Sequence, residues 1–271
     1  MLEHVVELLR ELAQVLEGTA IEVALGVAIG MLALAIPFRR VTTRPRPAAD
    51  IAAAIVVVIC AIVVESMLDV PAEFAMARLD RWYASVGEAS WWLLIPAYVV
   101  LADFGAYWAH RALHTRWLWP THAWHHSPKH LYWLSGLRGS PIHLLVLLAP
   151  YYVAFIVLPT PEAAWASGAI LVLDASNQHY IHSNLKLPYA RQLEWLFVTP
   201  RFHFVHHSAR PSVADSNYGF IFSVWDRLFG TYIDPAEVPL DDPLGLGYEI
   251  SGWRLVLGLP GRAARNADRG R

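Results

Sequence analysis

The stretch that decides the fold runs from Asp103 to His126, D-F-G-A-Y-W-A-H-R-A-L-H-T-R-W-L-W-P-T-H-A-W-H-H. Five histidines, His110, His114, His122, His125 and His126, stand at the end of an apolar run. The H-x-x-H-H spacing of the last three returns at His203, His206 and His207. On a helix, positions i, i+3 and i+4 share a face, so each cluster turns its imidazoles toward one point. Neutral imidazole is the commonest protein ligand for transition metals. The pattern predicts a polynuclear metal site carried by membrane helices.

Composition agrees with a membrane setting. Hydrophobic residues make up 56% of the 271 positions, charged residues only 16%, and mean hydropathy is +0.36. Soluble domains carry about a quarter charged residues. A net charge of −2 favours neither nucleic acid nor an acidic partner. One cysteine, Cys60, leaves no intramolecular disulfide and no thiolate cluster, so a metal must be held by His and carboxylate.

Outward from the quoted stretch, the apolar runs set a topology. Residues 1–17 alternate apolar and charged at helical spacing, as a surface-lying amphipathic helix does. Ile21–Phe38, Ile51–Leu68 and Trp91–Ala109 follow as three spans, long enough for a hydrocarbon core of about 30 Å. Arg39, Arg40, Arg44 and Arg46 place the first loop on the cytoplasmic side. The third span then delivers His110–His130 to that side, where Arg111, Arg116, Lys129 and Arg138 repeat the charge bias. Ile142–Leu158 and the shorter Ala163–Leu173, joined at Pro159-Thr-Pro161, form a hairpin that returns the chain to the same face. His179, His182, His203, His206 and His207 thereby join the first five. The fold expected is an all-α integral membrane protein, with four to five transmembrane or deeply inserted helices and a cytosolic helical cap.

A lone pair of histidines at i and i+4 is a common surface or core feature. Twelve of the thirteen histidines fall between His110 and His207, and the eight in three tight clusters are not so easily placed, because ionisable residues are rare in such apolar chains. They also exceed the three or four ligands of one zinc, and suit two metals in one cage. Trp108, Trp117, Trp119, Trp124 and Trp133 crowd the region, as an aromatic belt or as a lining for a lipid.

The motifs resemble those of the fatty acid hydroxylase / sterol desaturase superfamily. They are Asp103-Phe-x-x-Tyr-Trp-x-His-Arg-x-x-His114, His122-x-x-His-His-Ser127, Thr199-Pro-x-x-His-x-x-His-His207, and the closing Asn217-Tyr-Gly and Trp225-Asp-Arg-Leu-Phe-Gly-Thr-Tyr232. The likeness covers Leu101–Tyr232 and implies an O2-dependent di-iron enzyme that hydroxylates or desaturates an unactivated C–H bond of a membrane lipid, such as a sterol, fatty acyl or ether lipid. It implies two irons as cofactors. Box by box, the ligands would be His110 and His114; His122, His125 and His126; and His203, His206 and His207. In the remaining box Gln178 stands where some relatives have a histidine, so His182 is the ligand expected, and His179 either binds metal or supports a ligand. In the family's Arg-x-His-Pro-x-Glu segment this chain keeps Arg138 and Pro141, but has His143 in place of the acid.

Six further residues are candidates to orient a ligand imidazole, as groups behind a metal site commonly do. Asp103 and Tyr107 share a helical face with His110, and Asp174 and Gln178 share one with His182; Asn217 and Asp226 belong to the closing signature. For Asp103 the other reading is a helix–helix hydrogen bond. No substrate-binding residue is assigned.

The expected domains are 1–90, an amphipathic helix and two spans; 91–233, the catalytic domain; and 234–271, a cytosolic tail. No cytochrome b5-like domain, cysteine cluster or dinucleotide loop occurs, so a separate electron donor (cytochrome b5-like, ferredoxin or reductase) is expected. The expected place is a bacterial plasma membrane, or the ER membrane in a eukaryote, with the site on the cytoplasmic face. The rival classes are a membrane zinc hydrolase and a metal transporter. The first lacks an H-E-x-x-H base; the second would carry its ligands in mid-span.

Overall fold

The computed structural model describes residues 20–40, 47–60, 91–158, 173 and 176–261. The expected amphipathic helix 1–17, the charged loop 69–90, the second arm of the hairpin and Asp174 lie outside these. The described chain is helical, with isolated β-bridges and no strand. Its longer helices are α1 (Ala20–Ala35), α2 (Pro47–Cys60), α3 (Trp91–Leu113) and α5 (Pro141–Val157). Short ones carry or flank the motifs: α4 (Trp119–His122), α6 (176–181), α7 (Ala190–Leu193), α8 (Pro200–His206), α9 (Val224–Leu228) and α10 (Gly252–Val256).

Among the described residues one helix, Trp92–Leu113, is long and apolar enough to cross a membrane. It outruns the expected span because His110, Arg111, Ala112 and Leu113 continue the helix beyond the apolar stretch. The helices α1, α2 and α5 are apolar but shorter. Their outer faces leave Leu34, Met31, Ile51, Ile55, Leu145 and Val153 exposed. An apolar surface of this extent marks contact with lipid or protein.

α5 begins beside the histidines and runs back along α3. Gly105 meets Pro150 so closely that a Cβ there would lie 2.7 Å from the Pro150 side chain, and Ala102 packs with Ala154 one step further along. Small residues at such a crossing let the helix backbones approach. Beneath the motifs, Ala106, Ile181, Val198, Phe202 and Phe220 form a buried cluster that joins α3, α6 and α8. Burying one side chain like that of Phe202 stabilises by roughly 1.5–3 kcal/mol.

The described part of the expected cytosolic tail, 234–261, packs back on the helices. Leu255 of α10 packs with Ala53, Ala123 and Trp124, and Tyr248 accepts the Trp119 indole N–H at 3.0 Å. Residues 234–261 thus lie over α4 and the histidine turn that follows it.

Candidate metal centre

Each histidine arrives by a local rule. His110 closes the last turns of α3, and His114 follows in the turn after it. Pro120 starts α4, which delivers His122, and the turn that follows holds His125 and His126. Thr199 caps α8 by accepting from Phe202 N–H at 3.1 Å, with Pro200 as the first helical residue. Both are favoured there, since the hydroxyl satisfies a free N–H and proline needs none. That start sets His203, His206 and His207 on one face. α6 ends at residue 181, so His182 lies in a turn with its Nδ1 held by the Gln178 carbonyl at 2.8 Å.

The outcome is two adjoining groups. His110, His114, His122, His126 and His206 form one, and His125, His182, His203 and His207 the other; within each, the ring nitrogens lie within 4.8 Å of one another. Nine of the ten expected ligands therefore converge. His179 does not. Its Nδ1 donates to the Trp133 carbonyl at 2.9 Å and its Nε2 faces Glu22 on α1 at 3.3 Å. It anchors the helix pair instead, because the turn at 182 aims only the later ring inward.

Tautomers follow from partners. His110 meets the Tyr218 carbonyl at 2.8 Å, His206 the Ser216 carbonyl at 2.8 Å, and His125 the Arg138 carbonyl at 3.1 Å, all through Nδ1. A carbonyl only accepts, so each Nδ1 carries the hydrogen and each Nε2 presents a lone pair. His114 is held the same way by Asp215 Oδ1 at 2.8 Å. Burial first, and neighbouring imidazoles second, hold His122, His125, His126, His203, His206 and His207 well below the ordinary histidine pKa. His182 is pushed down to about 4, mainly by burial. These rings are neutral at pH 7.

Neutral rings in these tautomers would repel as they stand. His125 Nε2 and His182 Nε2 both present lone pairs, yet lie 3.2 Å apart. Further Nε2 pairs stand at 3.0 Å (His182 and His203), 3.1 Å (His203 and His207) and 3.1 Å (His122 and His126). Two nitrogens about 2.1 Å from one ion are separated by about 3.0 Å at a right angle and about 3.4 Å at the tetrahedral angle. His110 Nε2, His114 Nε2 and His206 Nε2 are buried with no hydrogen-bond partner among the described residues. Converging lone pairs at ligand-to-ligand spacing, in two groups, fit a pair of transition-metal ions, and an all-imidazole set suits iron, zinc, copper or nickel.

The supporting residues differ from expectation. Asp103 accepts from Ile221 N–H at 2.8 Å, Phe222 N–H at 3.0 Å and the Trp225 indole at 2.8 Å. It fixes the closing signature to α3, while the His110 N–H goes to Tyr218. Asp226 accepts the N–H groups of Tyr218 at 2.7 Å and Gly219 at 2.8 Å, and so holds the peptide whose carbonyl receives His110. Asn217, at φ +54°, ties Phe202 O and Ile233 together. Tyr107 shares a hydrogen bond with Thr231 at 2.9 Å. Gln178 acts through its carbonyl. His143 places its Nδ1 2.7 Å from that of His122 and stacks on the ring at 17°, so it supports a member of the five-histidine group and belongs to neither group. Asp215 was missed; its one sequence signal is that it stands two residues before Asn217-Tyr-Gly.

Fold and site together define a helical protein with exposed apolar faces, built round a doubled histidine cage. Residues 95–231, half of the chain, match the family model for fatty acid hydroxylase. The chain belongs to the fatty acid hydroxylase family. It is 34% identical over 150 residues to alkylglycerol monooxygenase of Xenopus tropicalis, covering 55% of this chain and 31% of that protein. It is 32% identical over 166 residues to the ornithine lipid hydroxylase OlsE of Rhizobium tropici, covering 60% and 48%. To the very-long-chain aldehyde decarbonylase GL1-6 of Oryza sativa it is 28% identical over 198 residues, covering 68% and 29%. The chain thus spans between 29% and 48% of the length of these relatives. No solved structure matches it.

Proposed function

We propose that this chain is an O2-dependent di-iron enzyme that hydroxylates or desaturates a C–H bond of a membrane lipid. The observation that carries the reading is the division of nine buried imidazoles into a group of five and a group of four. In this reading His110, His114, His122, His126 and His206 hold one iron, and His125, His182, His203 and His207 the other. When bound, the two irons supply the activation of O2 for attack on an unactivated C–H bond. Family membership and the lipid-acting names of the relatives support the substrate class.

The protein's own part is positional. The Tyr218, Ser216 and Arg138 carbonyls fix ring tautomers, so three lone pairs are aimed before any ion arrives. Burial of the cage excludes water from the reacting centre. Among the described residues no carboxylate stands with either group in the way a hydrolytic base would: Asp215 holds the far side of His114, and Glu22 faces His179. That arrangement favours oxidation over zinc hydrolysis.

The exposed apolar faces of α1, α2, α3 and α5 support the rest of the reading: four to five inserted helices, a cytoplasmic-face cap made of 114–138 and 182–261, and a catalytic domain over 91–233. The electrons come from a separate donor. Lipid profiling of cells with and without the protein tests the activity. A lipid that gains one oxygen or loses two hydrogens, in an O2-dependent manner, is expected; a hydrolysed lipid, with none that gains oxygen or loses hydrogen, would replace it with the zinc reading.

A further inference from the structure

A cavity of about 700 Å³ lies away from the histidine groups, between α1 and the segment after the second histidine box. Its wall is apolar along Val27, Met31, Leu34 and Trp133, and its far end carries Arg39, Arg40 and His130. Gly26 and Gly30 admit the Trp133 indole against α1, where a Cβ would lie 2.4 and 2.5 Å from the ring. The wall is therefore a fixed surface.

The charged end is also built. The Arg39 backbone is clamped by Asn184, whose Oδ1 accepts the Arg39 N–H at 3.2 Å and whose Nδ2 donates to the Arg39 carbonyl at 2.9 Å. The guanidinium lies 4.4 Å from the centre of the Phe204 ring. Its Nη1 is buried and has no hydrogen-bond partner among the described residues. Asp241 and Asp242 attract it electrostatically, but Asp242 is already bonded to Ser208 and paired with Arg210. Arg39 is half-buried and Arg40 exposed at this end of the cavity, and a guanidinium's planar fork of donors matches phosphate oxygens.

We propose that this cavity binds a phosphate-bearing lipid, with an acyl chain along α1 and Trp133 and the phosphate on Arg39 and Arg40. The proposal rests on the membrane reading above but not on the identity of the metals. Its test uses the full chain in nonionic detergent, titrated with dioctanoyl phosphatidic acid, dioctanoylglycerol and dodecanoate, and read by native mass spectrometry. Wild type is expected to take up one phosphatidic acid per chain, with both other probes weaker by about tenfold. Arg39→Gln with Arg40→Gln should reduce phosphatidic acid to the level of dioctanoylglycerol, and Val27→Trp should weaken both. Should the double variant fail to fold, Arg40→Gln alone, at an exposed position, must still weaken phosphatidic acid. Equal binding of phosphatidic acid and dioctanoylglycerol by wild type, equal binding of dodecanoate, or arginine variants that bind phosphatidic acid as wild type does, would overturn the assignment. Metal content of the same samples reports separately on the two-iron reading.

Discussion

The two histidine groups are held in different ways. In the group of five, the faces of the rings turned away from the centre are tied down: His110 to Tyr218, His206 to Ser216, His114 to Asp215, His122 to His143. In the group of four, His125 is tied to Arg138 and His182 to its own turn, while His203 Nδ1 and His207 Nδ1 are buried with no partner among the described residues. The first group is preorganised by the rest of the chain; the second depends more on the ion it would hold. Groups behind a metal site typically contribute a factor of 10–100 in affinity or activity, so the two positions should differ in how tightly they bind.

Removing a ligand separates them most sharply. His206→Ala should leave metal in the group of four only, and His203→Ala in the group of five only; both should reduce O2-dependent product by roughly 100-fold or more. Metal analysis beside product formation checks this, and loss of both metals from either variant would merge the two groups into one cooperative site.

Asp50 offers the next largest effect. It is buried on α2, pairs with Arg138 and accepts from Tyr132, and so steadies the segment whose carbonyl holds His125. Asp50→Ala leaves a buried guanidinium unpaired, which costs roughly 3–5 kcal/mol. We expect a lower thermal unfolding midpoint and weaker binding in the group of four, with the group of five unaffected. Asp215→Asn should act on the other group and act less, by about tenfold or under in affinity, because Asp215 is largely exposed and the amide can still accept from His114. Equilibrium dialysis against a chelator resolves the two losses. Trp117→Ala, at 76% exposure, should change neither; a change at either metal position would mean that the ring has a role beyond the surface.

Much of the site was legible because its signal is carried by side chains at helical spacing. His203, His206 and His207 follow a Thr-Pro start, and the doubled H-x-x-H-H says directly that two sets of rings face inward. The supports were less visible because most are backbone carbonyls: nothing in the letters of Tyr218, Ser216 or Arg138 marks the C=O that sets a tautomer. Asp103 shows the same limit. An acid on the His110 face of α3 reads as that ring's acceptor, whereas the folded chain brings Ile221, Phe222 and Trp225 within its reach from more than a hundred residues away. In the sequence His179 stays open between ligand and support, because the letters do not show that its ring turns to the Trp133 carbonyl and Glu22. The segment 234–271 reads as a tail, but within its described part Leu244 and Leu255 each enter a core cluster.

The cage is proposed to hold two irons. That reading is tested most directly by counting iron and zinc per chain after anaerobic reconstitution with ferrous iron, in wild type and in His206→Ala. Close to two irons are expected in wild type and close to one in the variant. A wild-type protein that retains a single metal, or a His206→Ala variant that still holds two, would contradict it.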